Sequence, residues 1–177
     1  MPIIELDEVR LRALEPKDVP MLYQYRNDPE ITRNVVGFSA HYSHANLTSW
    51  IEYHAGRTDE VLWAIAIRSD DRCIGHVGLY QIDSRIRRAE FGILIGDQGW
   101  QGKGVGRAVT RAVLTFAFRE LNLHRVGCDV LATNKRAIHT WESVGFKLEG
   151  RIRDAQFRDG AYVDVLNMSM LESEWGP

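Results

Sequence analysis

The sequence predicts one α/β (α+β) domain, a mixed and mostly antiparallel sheet of about seven strands with about four helices. Three observations carry that class. The chain has 177 residues, the length of a single domain whose core closes without staples. No internal repeat and no Pro/Gly/Ser-rich linker divides it, so residues 1–177 read as one unit. Apolar residues recur every second position in some segments and every third or fourth in others, in the order β-α-α-β-β-β-α-β-α-β-β.

Residues 9–14 alternate Val9, Leu11 and Ala13 with Arg10 and Arg12, which makes a strand. Pro16 suits the first turn of a helix that runs to about Asn27, where Asp28-Pro29 stops it. A second helix occupies residues 43–55. Residues 62–67 are a strand, Asp70-Asp71 a turn, and residues 73–82 the next strand. A fourth strand, 89–95, follows the basic turn of Arg85, Arg87 and Arg88. Residues 96–108 hold five glycines and an aspartate, so they form a loop that opens a helix. In that helix Val105, Ala108, Val109, Ala112, Val113 and Phe116 share one stripe, to about Glu120. Residues 125–131 are a strand. Thr133-Asn134 caps a helix that Gly145 stops. Residues 146–158 and 161–171 flank Asp159-Gly160, a two-residue hairpin signal. In the last strand the apolar positions slip from Val163 and Val165 to Leu166, Met168 and Met170, which predicts a bulge there.

Composition removes several functions. Hydrophobic residues make up 45% and charged residues 26%, and 22 basic against 24 acidic side chains leave a net charge of −2. That balance, with no aromatic-basic interleaving on the strands, argues against a nucleic-acid or membrane-surface binder. The longest apolar stretches fall far short of the ~20 residues that span a bilayer, and the N-terminus has no signal-peptide core, so the expected compartment is the cytoplasm. Cys73 and Cys128 form no CxxC or Cys/His pattern; no metal site is expected and both read as buried thiols.

The chemistry lies in the glycine loop. A Gly-rich loop feeding a helix leaves backbone N–H groups unpaired at the positive end of the helix dipole, an anion site. The loop is not a Walker A sequence, because Gly102-Lys103 is followed by Gly104 rather than Ser or Thr. It is not a dinucleotide fingerprint, because both G-x-G frames, from Gly102 and from Gly104, reach Arg107 and Val109 where glycine or alanine is needed. What stands is Gln101-Gly102-Lys103-Gly104-Val105-Gly106, a Q-x-x-G-x-G pattern after a strand and at a helix start.

That pattern resembles the acetyl-CoA pyrophosphate loop of the GNAT acetyltransferase superfamily. Asn134-x-x-Ala137 followed by Gly145-Phe146 is similar to the superfamily's second cofactor motif. Together with Arg87-Arg88-Ala89-Glu90-Phe91 and Ala137-Ile138-His139 these segments resemble the spermidine acetyltransferase branch. Val9-Arg10-Leu11-Arg12 with Arg26-Asn27-Asp28-Pro29 resembles the branch that acetylates ribosomal-protein N-termini. The likeness covers roughly residues 5–172. It implies acetyl-CoA as donor and coenzyme A as product, a small-molecule amine or a peptide N-terminus as acceptor, and a possible homodimer. It further implies that Gln101, Gly102, Lys103, Gly104, Val105 and Gly106 wrap the pyrophosphate, with Arg107 in the helix's first turn helping. The backbone of Ile93, Leu94 and Ile95, at the end of a splayed strand, would pair with pantetheine and polarise the thioester carbonyl.

Single residues carry two readings each. Asn134 either hydrogen-bonds the pantetheine arm or caps its helix. Arg111 either reaches the adenosine phosphate or sits on a solvated face. Glu90 is the candidate general base, on the strand face of Gly92 and Leu94; its bland alternative is an ion pair with a neighbour such as Arg88. Trp141 departs from the polyamine branch, where a tyrosine is placed to protonate the leaving thiolate. An indole is no acid near neutral pH, so Trp141 is either a core residue or a sign of a weakened, acyl-CoA-binding module. Neither cysteine sits beside a recognisable base, so transfer is expected by direct attack in a ternary complex. Substrate-facing candidates are Glu30, His41, Tyr42, Trp50, His76, Tyr80 and Asp83.

Overall fold

Residues 2–37 and 41–176 are described in the computed structural model of the chain. Eight strands form one sheet there: β1 (Ile4–Glu5), β2 (Val9–Ala13), β3 (Val61–Ile67), β4 (Cys73–Asp83), β5 (Arg88–Ile95), β6 (Arg125–Leu131), β7 (Lys147–Arg158) and β8 (Ala161–Leu171). Their spatial order is β1-β2-β3-β4-β5-β6-β8-β7. Five helices accompany them: α1 (Val19–Asn27), α2 (Pro29–Thr32), α3 (His44–Ala55), α4 (Val105–Arg119) and α5 (Lys135–Val144). The extra strand is a two-residue edge pairing of Ile4–Glu5 with β2, too short to show a period.

Alternation sorts side chains between the two faces of the sheet. On β3, Trp63, Ile65 and Ile67 join the larger cluster with Val109, Val113, Leu114 and Ala117 of α4 and Trp141 and Val144 of α5. Ala64 points the other way, to Val19 and Leu22 of α1 and Leu47 and Ile51 of α3. The sheet is therefore a middle layer, with α4 and α5 on one face and α1 and α3 on the other. Leu94 of β5 meets Tyr25 of α1 and Ile31 of α2 on that second face.

Local chemistry explains the boundaries. The turn 16–18 is 3₁₀, and α1 starts behind it. Asp28-Pro29 ends α1 as expected, but it also opens α2, because the Asp28 carboxylate accepts from the Glu30 N–H at 2.8 Å. The Ser43 hydroxyl accepts from the Asn46 N–H at 3.1 Å, which caps α3. Asp159 and Gly160 both take positive φ, +48° and +81°, the backbone of a type I′ turn.

The expected bulge belongs to β7 rather than to the last strand. β8 pairs with β6 without interruption from Val165 to Leu171. The register breaks between Leu148 and Gly150 and between Ile152 and Gln156, with Asp154 at φ +52°. The apolar slip in β8 marks its two faces: Leu166, Met168 and Met170 join the larger cluster, while Val165 is buried outside it.

One topological feature positions the site. β5 and β6 run parallel, joined by the crossover helix α4, and they pair only through Arg88↔Arg125, Ala89↔Val126 and Glu90↔Gly127. Beyond Glu90 they diverge.

Candidate active site

The glycine loop ends at the mouth of that divergence. Gly102 and Gly104 adopt φ +76° and +83°, a region that side-chain-bearing residues enter only with strain. Gly104 is the N-cap of α4. Among the described residues, the N–H groups of residues 102–107 have no hydrogen-bond partner, and the first helical bond is Ala108 N–H to the Gly104 carbonyl. Consecutive free amides at a helix N-terminus form an anion cradle. Gln101 stands apart from this cradle. Its N–H is taken by the Gln98 carbonyl, and its side chain bridges the Ile95 carbonyl at 2.8 Å and Arg136 Nη1 at 2.7 Å, pinning the loop between β5 and α5. Val105 turns its side chain into the core, so only its backbone faces the loop. Lys103 and Arg107 are exposed, with Lys103 Nζ 5.5 Å from the Trp100 ring. Arg111 lies over Trp175, 4.9 Å from its ring.

The divergence leaves backbone groups of β5 without a strand partner. The Gly96 N–H donates to the Ile74 carbonyl of β4. By two-residue alternation the amides of Leu94 and Gly92 also face β4, while those of Phe91, Ile93 and Ile95 face the gap toward β6. Leu94 thus contributes its side chain, and Ile93 and Ile95 their backbone. Opposite them Asn134 does two things. Its side-chain oxygen accepts from the Ala137 N–H at 3.1 Å, capping α5, and its amide donates to the Asn34 carbonyl at 3.1 Å, tying α5 to the loop after α2.

Two chambers meet at this gap. The smaller, about 400 Å³, runs between α4 and α5 and is lined by Gly102, Gly104, Gly106, Arg107, Arg136 and Thr140. The larger, about 920 Å³, opens on the α1–α3 face. Ile93, Leu94, Asn134, Ala137 and Trp141 line both. Trp141 is 8% exposed, packs edge-on against Phe91 with ring centroids 5.4 Å apart, and leaves its indole N–H buried without a partner. It is a core residue and at the same time a wall of the junction.

Glu90 lies in the larger chamber, half-buried, beside the last β5–β6 pair. No hydrogen bond or ion pair joins it to Arg88 or to any other described residue. Its room comes from Gly127, where a Cβ would stand 2.8 Å from Glu90 Oε2. Burial raises its pKa above the ordinary carboxylate range, and the nearby charge of Asp129 adds to the rise. The other carboxylates of this end are engaged. Glu149 pairs with Arg125 and accepts from Ser169 at 2.6 Å, which pulls its pKa down to about 2, and Asp129 accepts from Asn167. The opposite end is aromatic and basic. Tyr42, His76 and Arg26 line it, Trp50 lies under the Arg26 guanidinium at 4.2 Å, and Tyr80, the cross-strand partner of Glu90, lies between the two ends with its ring beside Gly78 and Gly92.

Of the residues expected to face substrate, Tyr42, His76 and Tyr80 line the larger chamber, Glu30 lines the smaller, and His41, Trp50 and Asp83 line neither. Arg26, Arg125, Asp129, Glu149 and Asn167 line the larger chamber without having been foreseen. Asp129 had a signal, since period two on β6 puts it on the face of Gly127. The remaining unforeseen residues arrive through register and helix docking, which carry no local signature. Cys73 and Cys128 are buried, and burial pushes the Cys73 thiol up to about 12, so neither is an available nucleophile. Among the described residues no cluster of His, Cys, Asp or Glu is placed to hold a metal ion, and no helix is long and apolar enough to cross a membrane.

Comparison with known proteins matches residues 8–147 to the Acetyltransferase (GNAT) domain. The chain belongs to the GNAT acetyltransferase family. As a member of it, the chain is an N-acetyltransferase that uses acetyl-CoA. The chain is 29% identical over 177 residues to the uncharacterized N-acetyltransferase p20 of Bacillus licheniformis, covering 99% of each. It is 30% identical over 171 residues to the spermidine N(1)-acetyltransferase of Vibrio cholerae, covering 95% of each. The crystal structure of the spermidine N-acetyltransferase from Vibrio cholerae in complex with CoA and spermine superposes with a TM-score of 0.86, at 30% identity, over 94% of this chain and 97% of that one. The GNAT donor fits the residues present: the free amides of residues 102–107 suit a pyrophosphate, and the Ile93 and Ile95 N–H groups, which face no strand, suit the carbonyls of an amide-bearing arm.

Proposed function

We propose that this GNAT chain moves the acetyl group of acetyl-CoA onto a primary amine by direct attack in a ternary complex. The donor lies in the smaller chamber, the acceptor in the larger, and Glu90 is the base. Acetyl-CoA supplies an activated thioester; the chain supplies position, polarisation and a proton acceptor. The amides of Gly102, Lys103, Gly104, Val105, Gly106 and Arg107 hold the pyrophosphate, with Gln101 fixing the loop that presents them. The backbone of Ile93 and Ile95 aligns the pantetheine arm, the Ile93 N–H serves as the donor to the thioester oxygen, and the Leu94 side chain shapes the acceptor side. Asn134 holds the arm from the α5 side while capping its helix.

The observation that carries this reading is the Glu90 carboxylate, facing the acceptor chamber with no partner. A raised pKa makes it a better base than an ordinary carboxylate at neutral pH. An amine of pKa ~10.4 needs that base more than an α-amine of pKa ~8 does. The leaving thiolate, from a thiol of pKa ~8–9, needs no acid, which accommodates Trp141. The acceptor is a small primary amine, a polyamine or an N-terminal α-amine. The cytoplasm remains the proposed compartment, and the homodimer implied by the resemblance is checked by sedimentation.

Purified protein, acetyl-CoA and a panel of spermidine, diamines, amino sugars, amino acids and peptides, read by mass spectrometry, test the reaction. Glu90→Gln is expected to lower kcat by about 10²–10⁴-fold with acetyl-CoA affinity within about twofold. A variant with wild-type turnover and an unchanged pH profile removes Glu90 from the role.

A further inference from the structure

The acceptor chamber holds a cation with no counter-ion among the described residues. Arg26, near the end of α1, lines that chamber. Among the described residues no carboxylate lies within ion-pair distance of it, in contrast to the paired Arg12, Arg57, Arg72 and Arg125. Its hydrogen bond runs from Nη2 to His76 Nε2 at 3.1 Å, and its Nε is buried without a partner. The guanidinium carbon stands 4.2 Å from the Trp50 ring centroid and 5.3 Å from that of Tyr42, so the plane is held by aromatic faces.

His76 does not offset the charge. A guanidinium can only donate, so Nε2 accepts and the ring proton sits on Nδ1, itself buried without a partner. Burial, with Arg26 and His54 adding to it, keeps the ring neutral by lowering its pKa well below the usual value. Glu60, whose charge reaches neighbouring Tyr80, is engaged by His54 and Arg57. A fixed, partly buried guanidinium with donors to spare is a carboxylate-binding group.

Its place in the sheet connects it to the reaction. His76 pairs with Leu94, next to Ile93, whose amide faces the gap, and Tyr80 pairs with Glu90. The chamber thus has an unpaired cation at the Leu94 end and the unpaired carboxylate Glu90 at the other.

On the acetyl-transfer reading above, we infer that the acceptor is a small amine that also carries a carboxylate, an amino-acid-like molecule whose carboxylate docks on Arg26 while its amine is turned to Glu90. A linear polycation has nothing to match this guanidinium and is repelled by it.

Matched acceptors test the inference. Wild-type protein is given proteinogenic amino acids, their carboxamides and spermidine, and kcat/KM is compared within each acid–amide pair. The acid is expected to exceed its amide by about tenfold or more, the size of a charge-assisted hydrogen bond. Arg26→Gln is expected to bring that ratio close to one, with Arg26→Lys between them and acetyl-CoA affinity intact as the check on folding. Preference for spermidine or for the amides in the wild type, or an unchanged ratio in Arg26→Gln, overturns it. Acetylation of no acceptor at all defeats the transfer reading instead. In that case binding of an N-acetyl amino acid and its amide, measured by calorimetry, still decides: equal affinities overturn the inference, and tighter binding of the acid upholds it.

Discussion

At the scale of single residues, the site depends on small side chains making room for charged ones. Gly127 pairs with Glu90 and has no Cβ because the carboxylate occupies that space. Gly127→Ala is therefore expected to displace the carboxylate and lower kcat by at least about tenfold. Acetyl-CoA affinity, measured by calorimetry, should hold, since the cradle of residues 102–107 lies elsewhere. Glu90 has a thermodynamic signature as well. Its folded pKa is raised, so the native state holds its proton more tightly than the unfolded chain does, and stability falls as pH rises through the interval between the two pKa values. Glu90→Gln should thus lose turnover without losing thermal stability at neutral pH, its melting midpoint equal to or above the wild type's. In the wild type, kcat/KM should fall as pH drops through that raised pKa, and the fall should be absent in Glu90→Gln.

At the scale of elements, the loop before α4 shows why glycines differ from one another. A Cβ at Gly104 would meet nothing within 4 Å, so the obstacle to a side chain is its φ of +83°, not space. Gly104→Ala is expected to cost about 1 kcal/mol in a denaturant melt and to weaken acetyl-CoA binding by about tenfold, as the cap re-forms in another geometry. At Gly106 the nearest atom is Ile95 Cδ1 at 3.5 Å and φ is not positive, so Gly106→Ala should leave the fold unchanged. Both glycines read alike in the sequence. The difference is that Gly104 is the cap and Gly106 is already inside the helix.

At the scale of the whole molecule, the larger chamber depends on the first helices staying docked, and one ionic cluster secures them. Arg12 of β2 donates to both oxygens of Asp18 at 2.8 Å and to Asp71 at 2.9 Å, with Asp18 2% exposed. Removing the guanidinium leaves Asp18 buried and unpaired, so Arg12→Met is expected to destabilise by about 3 kcal/mol, read as a lower denaturant midpoint. Lys17, and after it Arg12, hold the Asp71 pKa below the usual carboxylate range. That contribution is present above the unfolded value and is lost as pH falls through the folded one, and partial exposure of Asp71 keeps it small.

The sequence by itself determined the order of the elements other than β1 and α2, the hairpin at Asp159-Gly160 and the glycine loop that opens α4. Each is fixed by neighbours in the chain: periodicity by successive side chains, caps by a residue and the amides just after it, turns by φ. Glu90 was legible for the same reason, by alternation along one strand. The tertiary structure decided what distant segments bring together. It set Arg26 against His76 and over Trp50 with no carboxylate partner among the described residues, gave Glu149 to Arg125, put the bulges in β7, and set Trp141 between the chambers while packing it into the core. None of these follows from local spacing, because register between strands and docking of helices depend on the summed burial of the whole chain, and that sum has no local trace.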